Sequence, residues 1–274
     1  MSKRLSYPYL IWMGLTILVP VLLIFLYSVS ERGSYQLTFQ NYVRAFDSLH
    51  LQVLWSSFQI AVVSTVVCLI IGYPAAWFIS RFGGRVQSTL ILLFIMPMWV
   101  NMLLRTYAWM TILSRNGILN EVIGKFDLQP LNLLYTDFAV ILGMVYNFLP
   151  FMILPIYTAI LKVDPSLIEA ARDLGANGQR TFRKVIFPLT VPGILTGITM
   201  VFLPAMSSFV IPQLLGGGQF MMIGNLIERQ YLLTGNWNFG SALAMLLMVF
   251  ILLSVAIMKR FDPDTPRGKG TLPW

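Results

Sequence analysis

Long apolar runs separated by short polar segments dominate the chain. Such runs lie at about residues 8–28, 54–80, 89–113, 137–161, 190–214 and 239–258. Each is long enough to cross the hydrocarbon core of a bilayer, which takes about 20 helical residues. The runs are bounded by charged residues or by Gly, Asn and Asp. This pattern predicts an all-α membrane protein with about six transmembrane helices.

The composition agrees with this prediction and excludes a soluble enzyme. Hydrophobic residues make up 57% of the 274 residues and charged residues 11%, whereas an ordinary soluble domain carries about 25% charged residues. The short connections leave no room for a soluble catalytic domain, so we expect one membrane domain over residues 1–274. The first run resembles a signal peptide, but it is long and lacks a small-residue cleavage site, so it is predicted to be a retained span.

Basic residues are distributed unevenly among the connecting segments. The net charge of +8 would also suit a nucleic-acid-binding protein. If the N-terminus is cytoplasmic, however, most Lys and Arg residues fall on the cytoplasmic side, including Lys3, Arg4, Arg267 and Lys269 near the two termini. The outer loops then hold Arg32, Arg44, Arg115, Lys125 and Arg229. The positive-inside rule therefore predicts that both termini are cytoplasmic, and nucleic acid is not an expected partner.

The chain carries no signature of its own covalent chemistry. Its single cysteine, Cys68, lies within an apolar run, so an internal disulfide is impossible and a metal site is not expected. The Gly216–Gly218 run is not a phosphate-binding loop, because no Gly-Lys-Ser/Thr follows it, and no Walker motif occurs elsewhere. If the protein uses ATP, another chain must bind it.

Most of the apolar runs contain proline. These residues are Pro20, Pro74, Pro97, Pro150, Pro155, Pro204 and Pro212. Interior proline removes a helical hydrogen bond, and the freed carbonyl needs a partner on a neighbouring helix or a water molecule. Bent helices around a wet path would provide this, although proline is in any case more common in membrane helices. Gly193 and Gly197 form a small-xxx-small pair that would let another helix approach closely.

The longest cytoplasmic loop, residues 162–189, contains the signals for a short helix. Asp164 is a suitable N-cap with Pro165 at the first helical position, and Gly175 is a suitable stop about ten residues later. An apolar side of this helix is formed by Leu167, Ile168, Ala171 and Leu174. So short a helix needs a packing partner, which is either a groove on another protein or the bundle of this chain.

The loop resembles a known signature. Glu169-Ala170-Ala171, Gly175 and the segment 186–189 (Ile-Phe-Pro-Leu) are similar to the EAA motif of permease subunits from binding-protein-dependent ABC importers. The resemblance implies the MetI-like type I permease fold and a multi-pass location in the bacterial inner membrane. It also implies that the loop is a coupling helix seated in a cleft of a cytoplasmic ATPase. The coupling residues would be Glu169, Ala170, Ala171, Asp173, Leu174 and Gly175.

The same resemblance implies the partners. They are a second permease subunit, two cytoplasmic ATPase subunits that bind ATP and Mg²⁺, and an extracytoplasmic solute-binding protein. This chain itself would need no cofactor. Segments 72–77, 97–107, 116–120, 223–225 and 236–240 resemble the spermidine/putrescine branch of the family, and relatives that handle other small solutes share parts of these patterns.

Candidate residues of a translocation path follow the prolines. They are Trp99, Asn101, Arg105 and Tyr107 in the third run, Tyr146 and Asn147 in the fourth, and Ser208 and Phe209 in the fifth. A straight third helix would place Arg105 about 24 Å from Thr89, in the outer third of the bilayer. Arg105 would then either face the path or extend to the outer headgroups. The other polar residues would face the path or bond to neighbouring helices.

Two other classes of membrane protein would share many of these features. A self-sufficient secondary transporter or channel would use the loop only structurally. Secondary transporters often carry intramembrane carboxylates for ion coupling, and these apolar runs lack Asp and Glu in their interiors. A membrane scaffold would leave the proline kinks unexplained.

Overall fold

The computed structural model describes residues 7–34 and 36–260. The described residues are almost entirely helical, with one isolated antiparallel bridge between Ser30 and Leu37. The α-helices are α1 (Tyr7–Ser28), α2 (Gln40–Ala45), α3 (Ser48–Ser80), α4 (Gly84–Ile95), α5 (Met102–Leu113), α6 (Ile118–Gly124), α7 (Asp137–Leu161), α8 (Pro165–Asp173), α9 (Gly178–Thr181), α10 (Phe187–Ser207), α11 (Val210–Leu215), α12 (Ile223–Leu232) and α13 (Trp237–Arg260). A 3₁₀ turn, Met96–Trp99, follows α4, and a π-helical turn, Phe182–Ile186, precedes α10.

The apolar runs of the sequence coincide with helices. Four helical stretches in the described residues are long and apolar enough to cross a membrane, namely Ser48–Ser80, Asp137–Leu161, Gly178–Ser207 and Trp237–Met258. A bent pair, Gly84–Trp99 with Met102–Gly124, supplies a fifth candidate span. Helix α1 has 22 residues and covers the first predicted run. The predicted all-α membrane fold is confirmed, but the described residues supply four or five candidate spans against the six predicted, because the apolar part of α1, Trp12–Ser28, is shorter than the others.

The third run is not one helix, which corrects the expected position of Arg105. The chain turns by 93° between the two halves, because Val100 and Asn101 are extended and the Asn101 side chain accepts a hydrogen bond from the Leu103 N–H at 2.8 Å, starting a new helix. Pro97 lies in the 3₁₀ turn just before this break. Counting residues along a straight helix from Thr89 therefore misplaces Arg105.

Two other boundaries differ from the sequence pattern. The fifth run is interrupted after Ser207, where Ser208 is extended and a separate helix, α11, follows. Helix α3 begins earlier than predicted, at Ser48, because the Asp47 carboxylate accepts a hydrogen bond from the Ser48 N–H at 3.1 Å. The Asp47 cap extends α3 beyond its apolar run, whereas no side-chain cap starts α11.

Helix α7 is the centre of the bundle and packs against α3 and α10. Met144, Met152 and Ile156 of α7 are fully buried. The close approach predicted for the glycine pair occurs against this helix: a Cβ placed on Gly197 would lie 2.8 Å from the Met152 sulfur, and one placed on Gly193 would lie 2.7 Å from a backbone carbonyl oxygen of α7. Without side chains at these positions, α10 lies directly against α7.

The loops that follow α1 and precede α13 lie at one end of the bundle. The Asn238 amide donates to the Ser30 carbonyl at 3.0 Å, and Arg32 donates to the Thr234 carbonyl at 3.3 Å. Helix α12 is at the same end, since the Ile223 N–H donates to Ser57 near the start of α3. The loop with α8 and α9 lies at the opposite end, next to the end of α3. The basic residues predicted for the two termini, Lys3, Arg4, Arg267 and Lys269, lie outside the described residues.

This arrangement allows a direct test of orientation. Cysteines placed at Ser34 and Asn236 are expected to react with an impermeant maleimide in intact cells, whereas one at Asn177, in the loop at the opposite end, is expected to react only after permeabilisation. Cys68 is buried and gives no background. Labelling of Asn177 in intact cells would reverse the predicted topology.

Candidate functional site

Helix α8 begins at a capped N-terminus, as the sequence predicts. The Asp164 carboxylate accepts a hydrogen bond from the Ser166 N–H at 2.9 Å, and Pro165 occupies the first helical position. The bond from the Ser166 backbone holds the pKa of the Asp164 carboxyl below its ordinary value. The start of the helix is therefore fixed by local chemistry and needs no neighbour.

The end of α8 is a Schellman motif. The Ala176 N–H donates to the Ala171 carbonyl at 3.0 Å, and the Gly175 N–H donates to the Arg172 carbonyl at 2.8 Å. Gly175 has a φ of +77°, which other residues rarely adopt. The predicted stop is confirmed, and the helix, Pro165–Asp173, is nine residues long against the predicted length of about ten.

The surface of α8 is open in this chain. None of its residues is buried, although it contacts α9 and the π-helical turn. Leu174 at its end is 88% exposed and Leu167 is 46% exposed, while Ile168 and Ala171 are half-buried. The other predicted coupling residues, Glu169, Ala170, Asp173 and Gly175, are also exposed. Among the described residues, nothing covers the apolar edge formed by Leu167 and Leu174.

An aromatic cluster connects this loop to the bundle. Its members are Tyr73 and Trp77 of α3, Phe182 of the π-helical turn and Phe187 of α10; we call it the aromatic joint. The Phe182 ring centroid lies 5.4 Å from that of Trp77 and 5.8 Å from that of Tyr73. The Tyr73 hydroxyl also bonds to the Thr190 hydroxyl at 2.9 Å. The cluster ties the chain that leaves α8 and α9 to both α3 and α10.

Sequence reasoning missed the aromatic joint. Tyr73 and Trp77 are four residues apart and share a face of α3. Phe182 and Phe187 are five apart and would diverge by about 140° on an α-helix. The π-helical turn between them brings both rings onto the Tyr73 side. Such turns are often found at functional sites in proteins.

The predicted path residues of the third run cluster at its break. Trp99 is 78% exposed just before the break, and Asn101 caps the following helix. Tyr107 is also exposed, on the outer surface of α5. Residues on both sides of the break are therefore accessible at the surface of this chain.

Arg105 lines a cavity of about 300 Å³ between α5 and α7. The cavity is formed by Val100, Leu104, Arg105, Ala108, Trp109, Ile112 and Tyr146. The Trp109 and Tyr146 rings meet edge to face, with centroids 5.4 Å apart. The Arg105 Nε and Nη1 atoms are enclosed and have no hydrogen-bond partner among the described residues. The structure thus brings together two predicted path residues, Arg105 and Tyr146.

The remaining predicted path residues lie elsewhere. Asn147 is buried, and its amide donates to the Gly143 carbonyl at 2.8 Å within α7. Ser208 is buried at the break between α10 and α11, and the carbonyl of the half-exposed Phe209 accepts a bond from the Asn225 amide at 2.7 Å. None of these three side chains lines the Arg105 cavity.

A larger groove was not predicted from the sequence. It has a volume of about 770 Å³ and runs between α7 and α10. Its lining residues are Phe151, Leu154, Pro155, Thr158, Ala159, Lys162, Leu189, Pro192, Gly193, Thr196 and Met200. The groove is apolar apart from two threonines and Lys162 at its end. The prolines on both helices were visible in the sequence, but the pairing of α7 with α10 was not.

The family described as the inner membrane component of binding-protein-dependent transport systems matches residues 1–266. The chain belongs to this family of permeases. Permease subunits named as parts of spermidine/putrescine transport systems are among its relatives. PotB of Haemophilus influenzae is 40% identical over 256 residues, covering 91% of this chain and 90% of the relative. PotB of Escherichia coli K12 is 40% identical over 257 residues, covering 91% and 93%.

Solved structures share the permease fold. A chain of a bacterial ABC transporter involved in the import of the acidic polysaccharide alginate superimposes with a TM-score of 0.82, at 16% identity, covering 96% of this permease and 95% of that chain. A chain of the MetNI methionine ABC transporter superimposes with a TM-score of 0.59, at 20% identity, covering 79% and 96%. The predicted MetI-like fold is confirmed.

Membership in the family decides the class of protein. The chain is a multi-pass inner membrane permease subunit of an ABC importer, and ATP hydrolysis takes place on a separate subunit. Permeases of this family assemble with ATPases and a periplasmic binding protein. The sequence-based identification of the family is therefore confirmed, and the secondary transporter, channel and scaffold alternatives are set aside.

Proposed function

We propose that this permease is one of two different membrane subunits of a polyamine importer, and that the solute is spermidine or putrescine. The proposed substrate rests on the similarity to PotB proteins over almost the whole chain. The complete importer would contain a second permease, two ATPase subunits that hold ATP and Mg²⁺, and a solute-binding protein. This chain would itself hold no cofactor and act as a single membrane domain over residues 1–274.

Helix α8 is proposed to be the contact with the ATPase. Its exposed apolar edge supports this role. Leu167 and Leu174 are uncovered at the end of the bundle, and so short a helix needs a surface to pack against. Glu169, Ala170, Ala171, Asp173, Leu174 and Gly175 would lie in or beside the ATPase cleft. The aromatic joint would carry the movement of this helix to α3 and α10, because Phe182 contacts side chains of both helices.

The aromatic residues around the break in the third run suit a cationic solute. Aromatic rings attract cations by about 0.5–2 kcal/mol, depending on desolvation. Trp99 and Tyr107 are exposed, and Trp109 and Tyr146 lie beside the cavity. Asn101, Asn147, Ser208 and Phe209 are further proposed path residues, as is Arg105, whose positive charge would repel a polyamine unless another group neutralises it. The interiors of the apolar runs contain no carboxylate to attract amines, so most of the selectivity would reside in the solute-binding protein.

The substrate proposal is tested by uptake. Radiolabelled spermidine uptake is expected to disappear when the gene is deleted in a strain with no second polyamine importer, and to return when the gene is supplied on a plasmid. Uptake of an unrelated labelled amino acid serves as the control and should not change. Unchanged spermidine uptake in the deletion strain would refute the substrate and leave the permease assignment intact.

A further inference from the structure

Arg105 is a charged side chain in an apolar setting. Its Nε and Nη1 atoms are enclosed without a hydrogen-bond partner among the described residues, and apart from Tyr146 the side chains around it are apolar or aromatic. A charge within a membrane protein is costly unless it is paired or faces water. The guanidinium has five N–H donors and stays charged at any physiological pH. Arg105 therefore needs an anionic or strongly accepting group that the described residues do not place beside it.

The depth of the cavity argues against lipid headgroups. Tyr146, which lines the same cavity, lies three residues from the midpoint of the 25-residue helix α7. That separation is about 4.5 Å along the helix axis. The headgroup region begins about 15 Å from the middle of the hydrocarbon core. With α7 centred in the hydrocarbon core, a lipid phosphate would thus lie far from this guanidinium.

The charge of the solute and the composition of the chain exclude two other sources of an anion. A polyamine is a cation and would be repelled by Arg105. The interiors of the apolar runs of this chain contain no Asp or Glu. The surface beside the cavity is apolar and open, because Leu103, Leu104 and Tyr107 of α5 are exposed. A protein surface that covers this side of α5 would close the cavity and could bring a carboxylate to it.

We propose that Arg105 forms an ion pair with an Asp or Glu carboxylate of the second permease subunit, across the interface that covers α5. This inference rests on the proposed heterodimer and on the proposed cationic solute. A carboxylate on that surface would accept hydrogen bonds from the Nη2 group, the guanidinium nitrogen that is not enclosed without a partner. The ion pair would fix the relative position of the two permeases. It would also neutralise the positive charge of Arg105, which would otherwise repel the cationic solute.

Charge reversal tests the ion pair. Arg105→Glu is expected to reduce co-purification of the second permease with the tagged chain at least tenfold, since it would face a like charge. Arg105→Lys keeps the charge and should retain more of the complex than Arg105→Gln. Arg115→Glu, which alters an exposed arginine after the same helix, is the matched control and should co-purify normally. Normal co-purification of Arg105→Glu would overturn the proposal.

A compensating exchange identifies the partner residue. Each Asp and Glu in the membrane helices of the second permease is changed to Arg in turn and combined with Arg105→Glu. One combination is expected to restore co-purification to near the wild-type level, and failure of every combination would overturn the ion pair. Co-purification is independent of the solute, so it separates this proposal from the polyamine assignment, which only uptake tests.

Cross-linking tests the same interface in a chain that retains Arg105, so it still applies if the Arg105→Glu protein does not fold. A benzophenone amino acid at Leu104, in a chain that retains Arg105, should form an adduct with the second permease after irradiation. The same probe at Val122, on an exposed part of α6, is the comparison site and should give less of this adduct. Adducts at Leu104 that contain only lipid or only the solute-binding protein would contradict the proposed interface.

Discussion

Replacing Gly193 by alanine is expected to destabilise the permease by about 1–3 kcal/mol, the usual cost of overpacking a filled interior. The new Cβ would meet Ala159 and would lie 2.7 Å from the Pro155 carbonyl oxygen. That oxygen belongs to the backbone of α7 and cannot rotate away, so the two central helices must separate. The thermal unfolding midpoint of the purified protein in detergent should fall, and less of it should elute as a single species in size-exclusion chromatography.

Gly14 provides a matched control for this experiment. It lies in α1, another apolar helix, and the nearest atom to a new Cβ is a methyl group of Leu18 at 3.9 Å, an ordinary contact. Gly14→Ala should leave the midpoint unchanged or raise it slightly, because alanine favours the helix over glycine by about 1 kcal/mol. Equal midpoints for the Gly193→Ala and Gly14→Ala proteins would show that α10 does not lie against α7 as described.

The positions of the long helices could be predicted because the length of each apolar run can be read directly from the sequence. The fourth run and helix α7 agree at both ends. The breaks were harder to predict, since they depend on a few residues within an apolar run. At Val100 and Asn101 an extended dipeptide and an asparagine cap bend the chain by 93°. The sequence contains proline before both interruptions, but proline alone predicts a kink and not where a new helix starts.

Helix α8 could be predicted from the sequence, whereas the cavity around Arg105 and the groove could not. The ends of α8 follow from Asp164, Pro165 and Gly175, whose effects are local, and the sequence predicted both of them. The surroundings of Arg105 depend on how α5 packs against α7, and the 770 Å³ groove depends on how α7 packs against α10. Contacts between distant segments cannot be derived from hydrophobic periodicity, and the aromatic joint was missed for this reason.

Gly175→Val is expected to lower spermidine uptake at least about fivefold while leaving the amount of permease in the membrane unchanged. A residue other than glycine in the left-handed conformation costs roughly 1–2 kcal/mol, which corresponds to a factor of about 5–30 in the population of the native turn. Gly175 has a φ of +77°, and no atom lies within 4 Å of the position its Cβ would occupy. The effect would therefore come from the backbone, which would turn Leu174 and the end of α8 away from the ATPase.

A series of variants separates this backbone effect from a change in size or hydrophobicity. Gly178 also has open space around it but no positive φ, so Gly178→Val adds the same side chain nearby without the strain and should transport normally. Gly175→Asn should retain most of the activity, because asparagine tolerates the left-handed conformation better than valine. Uptake is measured in cells together with co-purification of the ATPase, and both should fall in parallel for Gly175→Val. Suppose that the Gly175→Val protein co-purifies with the ATPase and transports as well as the Gly178→Val protein. The conformation of this turn then does not couple ATP hydrolysis to transport, and the role proposed for α8 is wrong.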